Sequence, residues 1–149
     1  MKPYHYRFEN VLTYRELEKS ETEIDYQAAV ESFEQIGTEL YELLKQKETT
    51  IMNQQKQMEE GFSINDIHHY MRFIDSLEKK IEQVQQLVIK ARAKMQWYEQ
   101  KLLERTMEVR KFEKMKEKDW EEYQRDMEYQ EAQRLDELST LTFRGKEIG

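Results

Sequence analysis

The sequence predicts an all-α fold: a long antiparallel two-helix coiled-coil hairpin, with the second helix longer than the first. Three observations predict it. Apolar residues recur by sevens along most of the chain, the long middle is almost free of Gly and Pro, and "MEEGFSINDI" at 58–67 carries helix-stop and helix-start signals together. Hydrophobic residues are 38 % of the 149 and charged residues 37 %, which suits helices with a narrow apolar seam and solvated outer faces rather than a thick core. The expected organisation is a single coiled-coil domain over 1–149, with helix one at about 5–60, a turn at about 61–63, helix two at about 64–138 and a flexible tail at about 139–149.

In helix one, Tyr26, Phe33 and Leu40 fit heptad position a, and Ala29, Ile36 and Leu43 fit d. Before Tyr26 the pattern loosens. Phe8, Leu12, Leu17 and Ile24 hold no common register, and the polar run "EKSETE" at 18–23 predicts a stutter or looser packing. Gly37 inside a helix costs about 1 kcal/mol against Ala, so it is expected to mark a close approach to the partner helix.

The turn is specified by three devices within seven residues. Gly61 can end helix one in the left-handed conformation that other residues avoid. Ser63 is a good N-cap for the N–H of Asp66, and Phe62 and Ile67 are placed for a hydrophobic staple. So short a connection makes the helices antiparallel neighbours, and facing residues should have numbers adding to roughly 122.

Helix two has the clearest seam. Ile67, Ile74, Ile81, Val88, Met95, Leu102 and Val109 occupy a, while Tyr70, Leu77, Val84, Ala91, Tyr98 and Phe112 occupy d with Arg105 the polar exception. Lys116 and Asp119 then take the a and d places while Trp120, Tyr123 and Met127 carry apolar bulk, which predicts a second stutter. Helix one runs out near Tyr4, opposite about residue 118, leaving a single-helix overhang of ~20 residues, ~30 Å long.

Composition excludes several functions. A net charge of −7 disfavours nucleic-acid binding, because the basic residues around Arg105–Lys118 are interleaved with acidic ones. There is no cysteine, no apolar run long enough to span a membrane and no secretory h-region near the N-terminus. A two-helix hairpin offers no cleft for catalysis, so no catalytic residue, cofactor or metal is expected. His68 and His69 diverge by about 100° on a helix and cannot share a metal. The remaining candidates lie off the seam. Ile89 and Leu103 at b, Trp97 at c and Met107 at f form, with Ala93, a rough outer stripe suited to docking.

Three segments resemble the FliJ family of flagellar export proteins of bacilli: "YRFENVLTYRELEKSE", "GFSINDIHHYMRFIDSLEKKIE" and "MEVRKFEKMKEKDWEEY". The resemblance covers nearly the whole chain, and the glycine turn followed by Tyr70, Phe73 and Leu77 is its most specific part. It implies a non-enzymatic stalk and adaptor of the flagellar type III export apparatus, with roles in flagellum biogenesis and motility. Such a stalk sits in the pore of the hexameric export ATPase FliI and promotes its assembly and activity. It also meets the export gate protein FlhA and, as further partners, FliH and export chaperones. The implied location is cytoplasmic, peripheral to the inner face of the cell membrane. The family's gate-facing patch carries over onto Leu43, Phe73 and Leu77, whereas Glu39, Gln46, Thr50, Lys80 and Val84 beside it depart from the family pattern. The alternative is a coiled-coil scaffold or export chaperone that dimerises, or binds a client, through the outer stripe without an ATPase partner.

Overall fold

The computed structural model describes residues 2–148, with side chains as far as residue 145. Two α-helices account for nearly all of it: α1, Glu9–Glu60, and α2, Ile64–Ile148. They pack against each other as a helical hairpin. The chain divides into two compact units, Ser20–Leu103 around the turn, and Met1–Lys19 with Glu104–Gly149.

The turn forms as the sequence predicts. Gly61 has φ of 110°, a conformation that costs an L-residue its Cβ clearance. The Asp66 N–H donates to Ser63 Oγ at 3.2 Å, and the Ile67 N–H donates to the Ser63 carbonyl at 3.2 Å. Phe62 and Ile67 are both half-buried.

In the turn unit the seam follows the heptads. Ala29, Leu77, Ile81, Val84 and Ala91 are buried, and Tyr26, Phe33, Leu40, Leu43, Ile67, Tyr70, Ile74 and Val88 are half-buried. The core is thin: no described side chain in the chain falls below 2 % exposure. Facing pairs keep the expected register. Lys47 Nζ meets Glu78 Oε1 at 3.3 Å, and the Arg92 guanidinium lies 5.7 Å from the centre of the Phe33 ring. Gly37 corrects an expectation. It is half-buried, but a Cβ built there meets nothing within 4 Å, so it marks no close approach.

In the other unit three expectations change. Helix α1 starts at Glu9, not near residue 5. Residues 2–6 run without helix, and a turn at Arg7–Phe8 leads into α1. The aromatics of "YHYRF" supply a reason: the rings of Tyr4, Tyr6 and Phe8 all meet residues of α2, and one helical face would not present every second residue to the same neighbour. Tyr6 is 4 % exposed, and its hydroxyl donates to the Phe112 carbonyl at 3.1 Å.

No stutter appears in the burial pattern, the second change. Leu12, Arg15 and Lys19 continue the α1 heptads, and Thr22 continues them in the turn unit, while Leu17 and Ile24 stay 56 % and 69 % exposed. On α2, Val109, Phe112, Lys116, Asp119 and Tyr123 keep the unbroken three–four spacing. Long charged side chains can hold a seam place because their stems pack while their heads find partners. Third, α2 runs on past residue 138 to Ile148. Its late segment is rich in helix formers, with no Gly before Gly145, and the Thr140 and Thr142 hydroxyls donate to the Asp136 and Leu138 carbonyls.

Candidate partner-docking faces

Each unit presents its own candidates. In the turn unit the three residues expected to form a gate-facing patch do not have equal access. Phe73 is 44 % exposed, Leu43 is half-buried and Leu77 is 2 % exposed. The Lys47–Glu78 ion pair holds their two stretches together across the seam. Phe73 therefore offers a surface, and Leu77 supports it from within the seam. Around them Tyr41 and Leu44 on α1, and Met71 on α2, are also exposed.

The outer stripe is also open. Ile89, Trp97 and Leu103 are 61 %, 58 % and 53 % exposed. Trp97 is held on one side by the edge of Tyr98, ring centres 5.0 Å apart, and on another by the Lys101 ammonium 5.6 Å from its centre. Between these two contacts the ring keeps most of its surface open. Met107, in the other unit, is 62 % exposed.

The second unit holds two arrangements that sequence reasoning missed. One is a polar lock. Glu18 accepts from Arg15 Nη1 at 3.2 Å and from Arg105 Nη1 across the seam. Burial alone would raise the Glu18 carboxyl, but hydrogen bonds from Tyr14 and Arg15 and the charges of Arg105 and Arg15 hold it below its ordinary value. Arg105, the one polar residue among the d positions from Tyr70 to Phe112, was the trace of this lock in the heptad pattern.

The other arrangement is an aromatic clasp on the N-terminal segment. The Tyr4 ring meets Trp120 edge-on at 4.7 Å and Tyr123 at 5.2 Å. The Tyr123 hydroxyl donates to the Lys2 carbonyl at 2.9 Å, and Lys116 Nζ meets Glu9 at 2.9 Å. Burial, followed by the Asp119 carboxylate, raises the Tyr4 and Tyr6 hydroxyls above their ordinary pKa. The period-two spacing of aromatics in "YHYRF" was the legible signal. From Glu128 to residue 145 every side chain is exposed, with Leu135, Leu138, Leu141 and Phe143 between 48 % and 64 %.

Among the described residues no group of three His, Asp or Glu side chains could hold a metal ion, and no helix is long and apolar enough to cross a membrane. His68 and His69 line a small open hollow with Asn65 and Arg72.

These features define the class: a helical hairpin of coiled-coil type whose exposed apolar side chains lie outside the seam that holds it together. The particular family follows from comparison. The family model described as "Flagellar FliJ protein" matches residues 4–147, and the Flagellar FliJ protein of Bacillus subtilis (strain 168) is 34 % identical over 140 residues, covering 94 % of this chain and 95 % of that protein. No solved structure matches. The chain belongs to the FliJ family, and is a flagellar protein with a role in flagellar export.

Proposed function

We propose that this chain is a non-enzymatic stalk and adaptor of the flagellar export apparatus. It promotes assembly and activity of the export ATPase ring (FliI) and couples that ring to the gate protein FlhA, with FliH and export chaperones as further contacts. It works at the inner face of the cell membrane without crossing it. The observation that carries this reading is the uncovered end of α2. A helix whose seam partner has ended, still bearing Leu135, Leu138, Leu141 and Phe143 exposed, is an element with apolar surface left to bury. This end is the ring-facing one. Trp120 and Tyr123 clamp the N-terminal segment there, so they stiffen the end, and the residues beyond Met127 make the contact.

The gate contact belongs to the turn unit. Phe73 touches the partner, while Leu43 and the buried Leu77 set its position. The outer stripe of Ile89, Trp97 and Leu103, with Met107, is left for a further partner.

Mixing with the purified cognate export ATPase tests the stalk reading. The expected result is increased hexamerisation and turnover, lost when Leu135→Glu and Leu138→Glu are combined, with helicity unchanged. An ATPase indifferent to the unaltered chain would leave the scaffold or chaperone reading in its place.

A further inference from the structure

The outward face of α2 carries a second row of residues at heptad spacing. Between residues 86 and 103 the b and f positions, one row on the side away from the seam, are Gln86, Ile89, Ala93, Gln96, Gln100 and Leu103, alternately three and four residues apart, with Lys90 and Trp97 at c beside it. All six are exposed, and none is charged in a chain where 37 % of residues are. The preceding positions of the same row are Lys79 and Glu82, so the neutral run begins abruptly. Outer positions of a solvated coiled coil are normally charged, whereas a neutral three–four row is what a pairing helix needs.

We propose that this row is a self-association surface, on which a second copy of the chain docks antiparallel about a two-fold axis near residue 98. From Ala93 to Leu103 the row is complementary to its own reverse. Antiparallel layers oppose the two kinds of seam position, which places Ala93 of one copy against Leu103 of the other and Gln96 against Gln100. Symmetry forms each pair twice. Small against large fills the layer without a void, and two facing amides satisfy each other's donors and acceptors. A parallel pairing would instead stack Ala93 on Ala93, leaving a gap. Trp97 borders the row and approaches its own copy near the axis. Glu99, on the other border, also meets its own copy there, and this repulsion together with the row's short length keeps the dimer weak and reversible.

The full-length chain, followed by sedimentation equilibrium from about 5 to about 500 µM, is expected to show a monomer–dimer equilibrium. Ala93→Glu should weaken it tenfold or more with helicity and melting unchanged, and Glu99→Gln should tighten it. The chain has no cysteine, so single substitutions report orientation. Mixed Gln96→Cys and Gln100→Cys chains should form an intermolecular disulfide faster than either alone. A chain that stays monomeric throughout overturns the proposal and leaves the row to a helix of another protein. A dimer indifferent to Ala93→Glu overturns the surface, and fastest cross-linking within one single variant overturns the antiparallel arrangement.

Discussion

At the scale of single residues, burial and backbone conformation decide what each substitution does. Gly37 is a helical glycine with open space at its Cβ, so Gly37→Ala should stabilise the hairpin by about 1 kcal/mol, read as a raised melting temperature. Gly61, at φ 110°, has equally open space but the wrong backbone for a side chain; Gly61→Ala should destabilise by about 1–2 kcal/mol. Leu77→Ala should cost ~2–5 kcal/mol because its side chain is buried, whereas Phe73→Ala at 44 % exposure should leave melting nearly unchanged and weaken gate binding. Separating the two residues distinguishes a contact from its support. Gel filtration with the purified cytoplasmic part of the gate protein measures the first, and thermal melting measures the second.

At the scale of elements, two devices fix the second unit, and each has its own pH signature. Glu18 has a lowered folded pKa, so its contribution is present above the unfolded value of about 4.5 and disappears as pH falls below it. Glu18→Gln should flatten the acid limb of the stability profile, as measured by denaturant titration at several pH values. The clasp works in the opposite sense. Tyr4 and Tyr6 have raised pKa values, so their unfolded forms ionise first and the clasp weakens as pH climbs past 10.0. Tyr6→Phe keeps the ring but loses the bond to the Phe112 carbonyl, and should release the N-terminal segment to faster amide exchange. The non-helical course of that segment and the lock were poorly legible in the sequence for one reason. Heptad reasoning scores apolar residues, so it passes over Arg15 and Lys19 in seam places and Glu18 beside them, and treats alternating aromatics as broken register.

At the scale of the whole molecule, membership of the FliJ family and the stalk reading make one joint expectation. The chain should stimulate the export ATPase only while the α2 end beyond Met127 is intact. Removing residues after 128 should abolish stimulation while leaving the melting of the turn unit unchanged, since no side chain from Glu128 to residue 145 is covered. The sequence by itself determined the helical hairpin, its turn and its register. Those follow from a seven-residue apolar repeat, a single left-handed glycine and an N-cap serine, all local signals that act through backbone geometry and periodic burial. It also exposed the outer stripe, because a residue off the seam of two helices has nothing to bury it. Only the tertiary structure decided that Leu77 lies beneath its patch, that Gly37 approaches nothing and that charged side chains keep the seam in step. It alone showed that residues 2–6 run without helix and that Tyr4 packs on Trp120. The lock and the clasp depend on partners far along the chain, 87 residues apart for Glu18 and Arg105 and 106 for Tyr6 and Phe112, and no local pattern names such a partner.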